Sequence, residues 1–132
     1  MRSNAGVLNA QLSRVISETG HTDRLVISDG GLPIPRSVER VDLAVRPGLP
    51  PFLDVLDTVL GEVAVEGITL AEEIRTASPG MLSEIVARFP SLTPYFVPHD
   101  EFKARTATAR AIVRSGEFTP YANVILTAGV VY

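Results

Sequence analysis

The chain has 132 residues, with 12 basic and 15 acidic side chains and a formal net charge of −3. This balance provides no basic surface for phosphate neutralisation, which argues against a nucleic-acid partner. Cysteine is absent, which excludes disulfides, thiol nucleophiles and thiolate metal sites. No apolar run is long enough to span a bilayer, and the first residues lack the apolar core of a secretory signal. We therefore expect a cytoplasmic protein with no membrane partner.

The first predicted element is a helix, because apolar residues recur at helical spacing between Leu8 and Ile16. Asn9 is the predicted N-cap, and Gly20 is expected to end the helix in a left-handed conformation. Residues 24–28 are then predicted to form a short buried strand.

The rest of the chain continues to alternate strands and helices. The remaining predicted elements are a strand over 41–45, a helix from Pro51 to Val59, β-prone runs over 63–65 and 68–70, a helix that Ser78 and Pro79 open and that runs to Phe89, a strand over 92–97, a helix over 100–108, and strands over 109–115 and 123–127. This alternation predicts an α/β fold, in which helices flank a largely parallel central sheet of about six strands in three layers. The length suits a single domain over 1–132.

Two candidate residues flank the first strand. His21 follows a helix end, where aligned backbone carbonyls favour the positive charge that a general acid carries. The alternative is a histidine that only complements the helix dipole. Asp29 ends the strand and precedes two glycines, at the strand end where ligands of α/β sheets gather. The alternative there is an Asx turn that shapes the loop.

Further candidates follow the later strands. His99 stands at a strand-to-helix junction with Lys103 one helical turn further on, and the alternative is a solvated helix N-terminus. Zinc is not expected, because the two histidines are far apart in the sequence and thiols are absent. The loop over 116–123 offers a carboxylate, a hydroxyl, a phenol and an amide, which suit a polyhydroxylated ligand. Ordinary turn chemistry is the alternative for this loop.

Three segments match a known pattern in order and spacing. They are GHTD at 20–23 with DGGLPIP at 29–35, RPGLP at 46–50 with Phe52, and IVRSGEFTPYANVIL at 112–126. Together they resemble the D-ribose pyranase family, the sugar mutarotases that accompany ribose uptake. The resemblance runs from Gly6 to the C-terminus. One departure is Gly30, where the family usually carries alanine, and this change removes no functional group.

The resemblance implies an isomerase that interconverts the pyranose and furanose forms of D-ribose without a cofactor. Transport delivers β-D-ribopyranose, whereas ribokinase uses the furanose. The catalytic proton donor of the family matches His21, and Asp29 is expected to orient its imidazole or to bind a sugar hydroxyl. The matching sugar-binding residues are Asp29, His99, Lys103, Tyr121, Ala122 through its backbone, and Asn123. Family members form rings, typically homodecamers of two pentamers, with sites near subunit contacts.

Two other functions remain open on the residues alone. L-fucose mutarotase, the sister branch, shares the histidine and the tyrosine–asparagine loop, but the PGLP and FTPYAN stretches favour the ribose branch. A sugar-binding module without turnover is the alternative from a different class, and it is weakened because no expected polar group is missing.

Overall fold

The computed structural model describes residues 1–132. The elements in chain order are α1 (Ala10–Glu18), β1 (Arg24–Ser28), β2 (Glu39–Asp42), α2 (Phe52–Leu60), β3 (Val65–Ala71), α3 (Ile74–Ala77), α4 (Pro79–Ala87), β4 (Tyr95–Val97), α5 (His99–Thr106), β5 (Ala111–Arg114) and β6 (Val124–Ala128). None of these helices combines the length and the apolarity that a membrane crossing requires.

The six strands form one sheet in the order β2-β5-β1-β6-β3-β4. Three neighbouring pairs run parallel, namely β2 with β5, β5 with β1, and β3 with β4. Strand β6 lies between β1 and β3 and runs antiparallel to both. The predicted fold class, a largely parallel sheet of about six strands flanked by helices, is confirmed, with β6 as the one reversed strand.

Both faces of the sheet are buried, because successive residues of a strand point to opposite sides. On β1, Leu25 and Ile27 belong to the larger apolar cluster, which they share with side chains of α1 to α4. Val26, between them, belongs to a smaller cluster on the other face, together with Phe102 of α5. Helices therefore cover both faces of the sheet, which gives the three layers that the sequence predicts.

The turn after α1 differs from the prediction. Asn9 caps the helix as expected, since its side chain accepts a hydrogen bond from the first helical turn at 2.9 Å. Gly20 does not adopt a left-handed conformation, and that prediction is wrong. Thr19 ends the helix with extended backbone, and Thr22 is the residue with a positive φ, 71°. Because a β-branched residue disfavours positive φ, tertiary contacts must hold the turn that carries His21.

Several element boundaries also differ from the prediction. Strand β2 ends at Asp42 and not at residue 45, and β4 begins at Tyr95 and not at residue 92. The two β-prone runs form one bulged strand, β3, and no predicted element corresponds to α3. The reason is tertiary, since a strand continues only where a neighbour accepts its hydrogen bonds. Strand β4, for example, pairs with β3 over three residues and has no other neighbour.

Candidate active site

Two of the predicted site residues meet where β1 ends and β6 begins. Because these strands are antiparallel neighbours, Asp29 after β1 lies beside Asn123 before β6. The Asn123 Oδ1 accepts a hydrogen bond from the Asp29 backbone N–H at 2.8 Å, and its Nδ2 donates to the Asp29 Oδ2 at 3.2 Å. Asn123 is only 1% exposed, so it holds the Asp29 loop from inside the protein.

The second carboxylate oxygen of Asp29 shapes the loop that follows. Its Oδ1 accepts hydrogen bonds from the backbone N–H groups of Gly31 at 3.0 Å and Leu32 at 2.8 Å. The Asx turn that the sequence left open is therefore present. It leaves room for ligand binding, because Oδ2 accepts only the Asn123 bond within the chain and a carboxylate oxygen can accept two.

Glu73 positions the backbone of His99, a role that sequence reasoning missed. Helix α5 begins at His99, and Pro98 before it provides no side-chain cap. Both Glu73 carboxylate oxygens accept the His99 N–H, at 3.0 and 3.1 Å. No sequence signal identifies this cap, because Glu73 precedes His99 by 26 residues and reaches it only through the pairing of β3 with β4.

The imidazole of His99 lies against two aromatic side chains. It stacks on Phe102 with ring centroids 6.3 Å apart and meets the Tyr121 ring edge-on at 5.0 Å. Its Nδ1 is buried and has no hydrogen-bond partner within the chain. Burying a polar atom without a partner is costly, so this environment is the one expected of a side chain that bonds to a ligand.

The Tyr121 turn connects His99 with Asn123. Tyr121 has a φ of 61°, and its carbonyl accepts the Asn123 N–H at 2.8 Å. The turn is anchored by Ser78, whose hydroxyl donates to the Pro120 carbonyl at 2.7 Å instead of capping α4. Non-glycine residues with positive φ cluster at functional sites. Ala122 has no exposed surface in the single chain, so the binding role of its backbone stays a prediction.

Lys103 lies on α5 one turn after His99, as predicted. Its ammonium is 3.2 Å from the Asp100 Oδ1, and its side chain is 38% exposed. The Asp100 side chain is almost fully exposed, so this ion pair is weak and the ammonium is free to turn towards a ligand. The structure gives Lys103 no bond to the other predicted binding residues.

Glu117 and Thr119, in the loop over 116–123, have a structural role, because their side chains bond within the protein. The Glu117 Oε1 accepts the Phe52 N–H at 3.0 Å, at the start of α2, and its Oε2 accepts the Thr119 hydroxyl at 2.7 Å. Burial opposes ionisation of this carboxyl, but the hydrogen bonds outweigh burial and lower the pKa of Glu117. The loop therefore contributes Tyr121 and Asn123 to the cluster, and not its full set of polar groups.

Gly30 fits the same loop beside a small cavity. The cavity has a volume of about 300 Å³ and is lined by Asp29, Gly30, Gly31, Arg114, Glu117 and Phe118. A methyl group at Gly30 would lie 3.2 Å from the Phe118 ring, which is exposed and can shift, and 3.3 Å from the backbone carbonyl oxygen of Glu117. The alanine that the resembling family usually carries therefore requires a small shift of both neighbours in this loop.

His21 lies at the opposite end of β1 from Asp29. It precedes β1, whereas Asp29 follows it, and five strand residues at about 3.3 Å each separate the two by roughly 16 Å. The His21 Nε2 is 3.0 Å from the Glu66 Oε2 on β3. Within one chain, Asp29 therefore does not orient the His21 imidazole, and the alternative, that Asp29 binds a sugar hydroxyl, stays a prediction.

The fold thus carries a half-buried polar cluster at one edge and an exposed histidine–glutamate pair at the other. Such groups define a candidate acid–base enzyme for a small hydroxylated ligand. The chain belongs to the RbsD / FucU transport protein family, whose pattern matches residues 2–131.

Three relatives illustrate the similarity of sequence. The chain is 51% identical over 130 residues to a D-ribose pyranase of Geobacillus thermodenitrificans, with 98% of each chain covered. It is 50% identical to a D-ribose pyranase of Bacillus cytotoxicus, covering 96% of this chain and 97% of the relative. It is 48% identical to a D-ribose pyranase of Enterococcus faecalis, covering 96% of each.

Solved structures agree with the fold. The structure of Bacillus subtilis RbsD complexed with D-ribose matches the whole of both chains with a TM-score of 0.95 at 41% identity. The fucose mutarotase of Streptococcus pneumoniae in complex with L-fucose has a TM-score of 0.71 at 23% identity, over 99% of this chain and 100% of that one, and shares the fold.

Proposed function

We propose that this protein is a D-ribose pyranase, an isomerase that interconverts β-D-ribopyranose and β-D-ribofuranose by acid–base catalysis without a cofactor. The observation that carries the proposal is the full-length match, at a TM-score of 0.95 and 41% identity, to a structure that holds D-ribose. The named relatives, at 48 to 51% identity, support the ribose branch over the fucose branch.

The reaction requires two proton transfers for each ring opening or closure. Opening removes the proton of the anomeric hydroxyl, returns a proton to the ring oxygen, breaks the bond from C1 to that oxygen and leaves an aldehyde. Closure reverses these steps with the hydroxyl at C4, so no proton is gained or lost overall. General acid–base groups accelerate such steps by about 10²–10⁴-fold each. We assign His21 as the proton donor.

The polar cluster would hold the sugar. The His99 Nδ1 and the Asp29 Oδ2 each have capacity for a further hydrogen bond. Tyr121, Asn123 and the Ala122 backbone border them, and the Lys103 ammonium would stabilise an alkoxide that develops during ring opening. These groups suit a ligand whose surface consists largely of hydroxyls.

The separation of His21 from this cluster leads us to propose a site shared between copies. Both parts must contact the same sugar, yet the length of β1 keeps them at opposite edges of one chain. A neighbouring copy therefore supplies His21 to the cluster of the next one. A closed ring provides such a head-to-tail contact for every copy, and we propose the homodecamer of two pentamers that the family resemblance implies. We place the reaction in the cytoplasm, where transport delivers ribopyranose and a kinase consumes the furanose.

The proposed function predicts sugar exchange that saturation-transfer NMR detects directly. With trace protein, irradiation of the pyranose signals of D-ribose is expected to attenuate the furanose signals, and D-ribose should exchange faster than L-fucose. The methyl group of L-fucose requires an apolar contact that the Asp29, His99 and Asn123 side chains do not offer. Faster exchange of L-fucose would assign the protein to the sister branch. Exchange of neither sugar would favour a sugar-binding module without turnover.

The proposed homodecamer gives a second prediction, which concerns the mass of the assembly in solution. Light scattering at micromolar concentration should report a species close to ten times the chain mass of 14.2 kDa. The exposed apolar side chains Val45, Phe118, Val131 and Tyr132 provide surface that such contacts would bury. A monomer at this concentration would contradict both the ring and the shared site.

A further inference from the structure

The feature that the proposed mechanism does not yet explain is the carboxylate beside His21. The Glu66 Oε2 lies 3.0 Å from the His21 Nε2, and the two side chains are 45% and 50% exposed. An exposed ion pair contributes little to stability, so the pairing has no evident structural purpose. The backbone nevertheless brings the two side chains together, because Glu66 lies on β3 and the His21 turn is bonded to the neighbouring strand β6.

The position of Glu66 depends on a β-bulge. In the pairing of β3 with β6, the register shifts between Val65 and Gly67, so Glu66 is the additional residue. A bulge redirects a side chain out of the regular pleat, and bulges are frequent next to active sites. Gly129 permits the close approach, because a Cβ at that position would lie 3.2 Å from the Glu66 Cβ.

The turn that carries His21 is attached to the same end of β6. The Thr22 N–H donates to the Ala128 carbonyl at 2.9 Å, and the Ala128 N–H donates to the Asp23 carbonyl at 2.8 Å. These bonds hold Thr22 at its positive φ of 71°. Ala128 therefore fixes the His21 turn, and the next residue, Gly129, lies against the Glu66 bulge. The backbone thus sets the distance between His21 and Glu66.

Two other charged groups near this turn, Asp23 and Arg110, are already paired with each other. The Asp23 carboxylate accepts the Gly20 N–H at 2.9 Å and the Arg110 guanidinium at 2.8 Å. These bonds, first from Gly20 and then from Arg110, lower the pKa of Asp23. Glu66 is the carboxylate that bonds to the imidazole.

We propose that Glu66 is a positioning residue for His21. The Glu66 carboxylate accepts the Nε2–H of the imidazole, and this leaves Nδ1 as the nitrogen that exchanges protons with the sugar. A neutral imidazole has one donor and one acceptor nitrogen, and the bond made by one determines the role of the other. When His21 carries a second proton, that proton is on Nδ1, and Glu66 still accepts the Nε2–H. This inference rests on the proposed mutarotase reaction.

The test uses Glu66→Ala and Glu66→Gln in the full-length oligomer, with two readouts. Glu66→Ala is expected to lower kcat for D-ribose exchange at least about tenfold with little change in KM, because Glu66 orients the acid without touching the sugar. Glutamine keeps an oxygen that can accept the Nε2–H, so Glu66→Gln should retain more activity than Glu66→Ala. Glu72→Gln, an exposed glutamate just past the other end of β3, serves as the matched control and should exchange ribose at the wild-type rate.

The second readout is independent of activity. Solid-state NMR of protein labelled with ¹⁵N-histidine distinguishes the two neutral tautomers, and with two histidines in the chain a His21→Ala sample assigns the signals. We expect the Nε2–H form of His21 in the wild type and in Glu66→Gln, and a mixture in Glu66→Ala. An unchanged tautomer and unchanged kcat in Glu66→Ala would overturn the inference, as would equal losses in both variants. Absence of exchange in the wild type would instead refute the proposed function, and the tautomer would still decide whether Glu66 orients the ring.

Discussion

Replacing His21 by alanine is expected to lower ribose ring exchange by about 10²–10⁴-fold, the range that a general acid contributes. The fold should remain, because the His21 side chain is half exposed and bonds only to Glu66. Saturation-transfer NMR measures the rate, and circular dichroism and light scattering check the fold and the assembly. Exchange at the wild-type rate in this variant would refute the assignment of His21.

The shared site gives this prediction a second part. His21→Ala and His99→Ala should each be nearly inactive alone, because each removes one half of every site. In mixed rings assembled by co-expression, about one quarter of the sites should combine an intact His21 from one copy with an intact His99 from its neighbour. Recovery of about that fraction of activity is expected. No recovery in verified mixed rings would show that the two histidines do not meet across copies.

Replacing Asn123 by leucine is expected to weaken ribose binding at least tenfold. In the structure the effect of Asn123 on the sugar acts through Asp29. Asn123 is 1% exposed and bonds to both the backbone and the carboxylate of Asp29. Leucine leaves the Asp29 N–H without its partner, which costs about 1–3 kcal/mol. Sugar affinity should therefore fall together with the free energy of unfolding, since the loop that presents Asp29 loosens.

Titration with D-ribose by NMR and thermal unfolding measure the two effects on one sample. Thr119→Val is a suitable control, because it removes a hydroxyl of the same loop that bonds to Glu117 and not to Asp29. Ribose affinity in the control should match the wild type. An Asn123→Leu variant with unchanged affinity would show that neither Asn123 nor the Asp29 loop it holds contributes to sugar binding.

The sequence by itself determined most of the local structure. The spacing of apolar residues predicts α1 and β1, because side-chain periodicity differs between a helix and a strand. Asn9 identifies the start of α1 since its cap is a bond to the next turn. The long loop motifs also determine the family, because their order and spacing together are specific, and the comparisons confirm it. The helix, strand and cap predictions each depend on residues close to one another in the chain.

Only the tertiary structure decided which of the candidate residues lie together. The reversed strand β6 places Asn123 against Asp29 and sets its other end, Ala128, beside His21. No local pattern encodes that direction, since an apolar strand reads the same whether its neighbours run parallel or antiparallel. The pairing of β3 with β6 brings in Glu66, and the pairing of β3 with β4 brings in Glu73. Their partners are 45 and 26 residues away. Sequence can therefore name the polar groups of this protein, but the distance that separates its two histidines is a property of the folded sheet.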